Sequence, residues 1–200
     1  MARNQEQNQK MRDLSSARIL AAALRLFADK GLGATKISDI AADADCSQGL
    51  VYHYFRSKEE MFSELIRDGF AKLNAACLGL EAMDLMPRAK IELALSELVK
   101  GFMTSPDAAR MHMLIAQATM TSAVPREAKA IIRKQNRLPY EVMERIMAAG
   151  QKDGSISRGH SADELALLFW TTIKGLAMHK AAHGKKFKAP DPGLIMKMFV

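Results

Sequence analysis

Apolar residues recur at helical spacing along almost all of this 200-residue chain, and that property removes most folds from consideration. Ile19, Ala22, Ala23, Leu26 and Phe27 share one helix face, as do Met61, Phe62, Leu65, Ile66, Gly69, Phe70 and Leu73. No alternating strand pattern and no hairpin signal stands out. The pattern predicts an all-α fold of about nine helices.

Start and stop signals divide the chain. A first helix is expected from about Ser15 to Lys30, capped by Ser15 or Ser16 and stopped by Gly31. Thr35 opens a short second helix carrying Ile37, Ile40 and Ala41. A tight break at Ala44-Asp45-Cys46 follows, and Ser47 caps a third short helix ending near Tyr54. Ser57 and Glu60 form a capping box that begins a long fourth helix. Pro87, Pro106 and Pro125 open the fifth, sixth and seventh. The seventh runs to Ala149, with a kink expected at Pro139. Ser161 and Glu164 box the start of the eighth, and a short ninth follows Pro192.

The second helix, the break and the third helix have the proportions of a helix-turn-helix. In that motif the second helix enters the DNA major groove with its N-terminal residues facing base edges. The stretch "CSQGLVYHYFRSKEEMF" meets the physical requirements. Gly49 keeps the helix start shallow, while Leu50, Val51 and Phe55 supply an inward apolar side. Ser47, Gln48, Tyr52, His53 and Tyr54 supply donors and acceptors outward. Gln48 can pair bidentately with adenine, and a tyrosine can bond a phosphate or pack on sugar. Thr35 and Lys36, at the start of the second helix, can grip the DNA backbone. Lys58, at the exposed amides of the fourth, completes a phosphate clamp. The competing account of the Tyr-His-Tyr run is an aromatic cluster at a domain seam.

Residues 17–65 resemble the DNA-binding domain of the TetR family of transcriptional regulators. The likeness rests on "ILAAALRLFADKG", on Thr35 with Asp39-Ile40-Ala41, and on Ser47, Gly49, Tyr52, Tyr54, Phe55, Ser57 and Lys58 at matching spacing. It implies DNA contacts at Thr35, Ser47, Gln48, Gly49, Tyr52, His53, Tyr54 and Lys58. It departs at Asp45, where the family usually has glycine, and at Cys46. Asp tolerates left-handed backbone better than most residues, so the turn is expected to survive. The rest of the chain is similar in layout only. The resemblance implies residues 1–56 as the helix-turn-helix domain and residues 57–200 as a helical ligand-binding and dimerisation domain.

In that second part the methionines Met103, Met111, Met113, Met120, Met143 and Met147 suit either an adaptable pocket or ordinary core. Pro139 can open a helix and present Asn136 and Tyr140, or merely bend it. The expected effector site comprises Phe70, Leu73, Phe102, Met103, Met111, Ile115, Asn136, Tyr140, Met143 and Trp170. The expected homodimer surface is Leu168, Phe169, Thr172, Gly175, Leu176 and His179 of the eighth helix, with the ninth helix adding to it. The implied function is a ligand-responsive regulator, a repressor by family habit, that binds a pseudo-palindromic double-stranded operator. A small, mostly apolar effector would release it. A constitutive DNA-binding or architectural protein is the alternative.

Composition narrows the rest. The net charge is +7, but residues 1–60 carry nine basic and eight acidic side chains, so the surplus lies in the C-terminal half. Few phosphates would then meet full cations, and DNA affinity should fall gently with salt. Two cysteines make no disulfide framework and suit a cytoplasmic setting. Cys46 precedes a helix and is either a small apolar filler or a reactive thiol. His179 and His183 stand one turn apart, too few ligands for a metal site by themselves. Lys185, Lys186 and Lys188 fit a solvated loop. With no nucleophile–base pair, metal cluster or phosphate loop in the sequence, no enzyme activity, no cofactor and no metal are expected. No membrane association is expected either.

Overall fold

The computed structural model describes residues 2–121 and 123–200, with side chains from Arg12 onward apart from residue 122. The elements are α1 (Ala2–Ala34), α2 (Ile37–Asp43), α3 (Gln48–Tyr54), α4 (Lys58–Ala82), α5 (Pro87–Thr104), α6 (Pro106–Met120), α7 (Arg126–Gln135), α8 (Leu138–Asp153), α9 (Ala162–His183) and α10 (Pro192–Met196). A 3-10 turn at Gly184–Lys186 follows α9, and the described residues contain no strand.

Two boundaries differ from expectation. α1 begins at Ala2, so Ser15 and Ser16 lie inside it rather than capping it; Gly31 breaks it at φ 81°. The expected seventh helix is two helices, α7 and α8. Asn136 and Arg137 join them with αR backbone, and Pro139 sits in the first turn of α8. A first-turn proline lacks only an N–H that would have had no partner. Pro139 therefore starts a helix, as Pro87, Pro106 and Pro192 do, instead of kinking one.

Caps hold the other ends. The hydroxyls of Ser57 and Ser105 accept from the amides of Glu60 and Ala108, and Ser161 forms its box with Glu164. At α4 the Glu60 carboxylate reaches one residue further back than expected, to the Arg56 amide at 2.6 Å.

Two apolar cores share α4. Ile19, Phe27, Ile40, Val51 and Phe55 of α1–α3 and the α3–α4 link pack with Met61, Phe62, Ile66 and Phe70 of α4, and with Leu114 and Ile115 of α6. Cys77 and Leu80 of α4 join the second core with Ile91, Leu95, Phe102, Met143, Met147, Phe169 and Trp170. The expected domain boundary at 56/57 falls at the capped start of α4, but the core does not divide there. α10 folds back on α5, with Ile195, Met196 and Phe199 buried. α8 packs along α9.

Two glycines let helices meet closely. A Cβ on Gly69 would lie 2.7 Å from the Met111 sulfur and 3.0 Å from Ile115 Cδ1, so the side chains of α6 pack directly on the α4 backbone. A Cβ on Gly150 would lie 2.4 Å from Ile156 Cγ1 and 3.3 Å from Pro87. Gly150→Ala is therefore expected to lower stability by about 1–3 kcal/mol through overpacking, measurable by urea titration.

Candidate DNA-binding and effector sites

The α2–α3 turn is built as its residues require. Asp45 takes φ 47°, the one positive φ outside glycine among the described residues. The Cys46 amide donates back to the Ala41 carbonyl at 2.9 Å, and Arg18 donates to the Asp45 carbonyl at 3.4 Å. Ser47 then caps α3, accepting from the Leu50 amide at 3.1 Å. An alanine at position 45 loses the tolerance of aspartate for this conformation. Asp45→Ala should cost about 1 kcal/mol, and Asp45→Gly should not destabilise, as thermal melts would report.

α3 is two-faced. Val51 is buried, with Phe55 just past the helix end and Leu50 partly covered, while Ser47, Gln48, Gly49, Tyr52 and His53 are exposed. Tyr52 is 56% exposed, a large ring left in solvent on the outward side. Tyr54 is half-buried, its ring edge-on to His53 at 5.2 Å and near Phe55; it is in part a packing residue. Cys46 is also partly packed against the α1–α3 core.

Beside α3 lies an open cleft of ≈ 450 Å³ between the starts of α2 and α4, lined by Lys36, Ser38, Gln48, Tyr52, Arg56 and Lys58 among others. Lys36 and Arg56 are exposed at its rim. Thr35 lines this cleft too, but its side chain is turned inward. Its side chain is 1% exposed, and its hydroxyl donates to the Gly31 carbonyl at 2.8 Å. It closes the end of α1 and does not offer its hydroxyl to solvent. Lys58 is half-buried, and its ammonium donates to the Gly33 and Thr35 carbonyls at 3.1 and 3.0 Å. Its charge faces the cleft while two of its donors tie α4 to the α1–α2 link. Arg56 and Ser38 were missed from the sequence; the basic residue just before the Ser57 box was the available signal. Asp39 accepts from Lys30, which holds its carboxyl below the usual carboxylate range.

Further along α4, three cavities meet at Leu73. One of ≈ 720 Å³ lies between α1, α4, α5 and α6, lined by Leu20, Leu24, Gly69, Met111 and His112 among others. One of ≈ 480 Å³ lies between α4, α5, α8 and α9 and is almost wholly apolar, with Leu80, Leu98, Met143, Phe169 and Trp170. Burial pushes the Cys77 thiol in its wall up to about 11, so the thiol stays protonated and inert. The third is a narrow crevice of ≈ 30 Å³. It brings together six of the residues expected at an effector site: Phe70, Leu73, Ile115, Asn136, Tyr140 and Trp170.

Met111 and Met143 line the larger chambers. Phe102 and Met103 line none of the three. Phe102 is in the core, 2% exposed, with its ring against His112 at 4.9 Å. Met103 is 45% exposed, about 100° further round α5 than the buried Phe102. His112 and Lys174 were missed; each is an ionisable residue within a mostly apolar helix stretch, "MHMLIA" and "LLFWTTIKGLA".

On α9, Phe169 requires a correction. It is fully buried against Trp170 and Phe199 and cannot face a second chain. Leu168, Thr172, Gly175 and Leu176 are partly exposed and His179 exposed. Leu167 and Met178, not foreseen, are exposed apolar residues near the same face, and Gly175 has open space where a Cβ would stand. His179 and His183 stack on one another, and no cluster of three or more possible metal ligands occurs among the described residues. No described helix is long and apolar enough to cross a membrane.

A capped short helix with an outward polar face, set beside a cationic cleft and braced by a buried neighbour, defines a helix-turn-helix protein of the DNA-binding class. The family profile described as "Bacterial regulatory proteins, tetR family" matches residues 19–65. The HTH-type transcriptional repressor KstR2 of Rhodococcus jostii (strain RHA1) is 33% identical over 161 residues, covering 78% of this chain and 76% of that protein. The chain belongs to the tetR family of transcriptional regulators. Its fold is shared with the MbdR regulator from Azoarcus sp. CIB, at TM-score 0.77 and 22% identity over 92% of this chain and 94% of that one. It is shared too with FadR from Bacillus subtilis, solved with stearoyl-CoA, at TM-score 0.66 and 18% identity over 91% and 94%.

Proposed function

We propose that this chain is an effector-responsive repressor that binds a pseudo-palindromic operator as a homodimer, in two functional parts divided near residues 56 and 57. The observation that carries the reading is the double duty of α4, which packs in the α1–α3 core and also walls all three cavities. α6 has the same double duty: Leu114 and Ile115 belong to the α1–α3 core while Met111, His112 and Ile115 line cavities. An effector that displaces α4 or α6 shifts the core on which α1, α2 and, through them, α3 rest. Exposed Gln48, Gly49, Tyr52 and His53 meet the major groove, with Ser47 at the helix start, Tyr54 at its rim, and Lys36, Arg56 and Lys58 toward phosphates. Two copies joined through α9, with α10 adding to the interface, set the α3 helices one DNA turn apart, about 34–36 Å. Release requires the effector to favour the non-operator state; a 100-fold preference corresponds to about 2.7 kcal/mol. The known relative of Rhodococcus jostii is likewise a repressor.

The test is stoichiometry by analytical ultracentrifugation on a duplex selected by the protein. Two chains on each inverted repeat, and weak binding to a scrambled duplex, are expected. One chain per duplex, or equal affinity for both duplexes, sinks the reading.

A further inference from the structure

We propose that the effector is an organic anion with an apolar body, its carboxylate held by Lys174 and Tyr140; this rests on the ligand-responsive reading above. Lys174 projects from α9 into the crevice, half-buried. Its ammonium donates to the Tyr140 hydroxyl at 2.8 Å and lies 5.3 Å from that ring's centre. No described carboxylate pairs with it. Phe70, Leu73, Trp170 and Ile173 line the same crevice and offer the ammonium no acceptor, so an anionic ligand would supply its counter-charge. Because Tyr140 accepts from Lys174, its own O–H remains free to donate. The ammonium and the phenol therefore present converging donors, a match for carboxylate oxygens.

The remaining polar groups set the direction. Trp170 Nε1 already donates to the Pro139 carbonyl at 2.9 Å, so that side chain offers a ligand only its ring. His112 Nδ1 donates to the Ala108 carbonyl at 3.0 Å, which leaves Nε2 as a lone pair, shielded from solvent and without a partner. Burial lowers the imidazole below its ordinary range and keeps it neutral. A lone pair repels an anionic oxygen, so the head group lies at the Lys174 end. The tail then enters the ≈ 480 Å³ chamber, which shares Leu73 and Trp170 with the crevice and is lined almost wholly by carbon. The ≈ 30 Å³ crevice has room for little more than a head group, so the apolar body must lie outside it.

The experiment is calorimetric titration of the intact protein with decanoate, decan-1-ol and decylammonium, with operator affinity read in parallel. Decanoate is expected to bind at least tenfold more tightly than either other probe. Lys174→Met should remove that preference, and Tyr140→Phe should reduce it. Lys129→Met, an exposed lysine on α7 that lines none of these cavities, should leave it unchanged and controls for general charge. A chemical melt of each variant guards against unfolding. Equal binding of acid and alcohol, an unaltered preference in Lys174→Met, or no binding of decanoate overturns the proposal. Decanoate that binds through Lys174 without loosening the operator leaves the anion site standing and overturns the regulatory reading instead.

Discussion

Gln48→Ala is expected to weaken operator binding by roughly 30- to 10⁴-fold while leaving affinity for random duplex unchanged. Gln48 is the first residue of α3, exposed beside the capped end. A bidentate amide–adenine pair discriminates by about 1–3 kcal/mol. In a homodimer the side chain appears twice, so the loss doubles to about 2–6 kcal/mol. Lys36→Ala should behave differently. It lowers affinity for both duplexes alike and flattens the salt dependence by about two units of slope per dimer, one phosphate for each copy. Fluorescence anisotropy at several salt concentrations separates the two patterns. An equal loss on both duplexes for Gln48→Ala would make it a phosphate contact.

Phe169→Ala should destabilise the fold by about 3–5 kcal/mol, whereas Leu167→Ala should chiefly weaken self-association. Both lie on α9, two residues apart. Phe169 is fully buried between Trp170 and Phe199, so its truncation leaves a cavity in the second core. In a chain of this size each kcal/mol is worth about 2–4 °C of melting temperature. Leu167 is 53% exposed, and little inside the fold depends on it. Melting at two protein concentrations and sedimentation equilibrium resolve these effects, since dimer stability varies with concentration. A large concentration-independent loss for Leu167→Ala would remove α9 from the interface.

The legible parts of the sequence are those where one residue has one local task. The Ser47 and Ser57 caps, the Asp45 turn and the two-sided α3 depend on neighbours within a few positions, and they lie where the spacing puts them. The side-chain direction of Thr35 was not legible, because a polar residue before a helix equally suits an outward contact or an inward hydrogen bond. Only the carbonyls left by the break at Gly31 decide for the second. Phe169 misled because α9 is apolar nearly all round, and periodicity does not tell a core face from a partner face there. Met103 shows the reverse case, an apolar side chain with no cavity beneath it. Lys174 and His112 were invisible because their meaning comes from what faces them across α4, α6, α8 and α9.

The most direct test of the central claim is selection of binding sites from random duplexes by the purified protein, with Tyr52→Ala in parallel. Enrichment of an inverted repeat with half-site centres one turn apart, about 10–10.5 base pairs, and its loss in Tyr52→Ala, is the predicted result. Enrichment that ignores Tyr52, or a single half-site with no repeat, would contradict a dimer that reads DNA through the exposed face of α3.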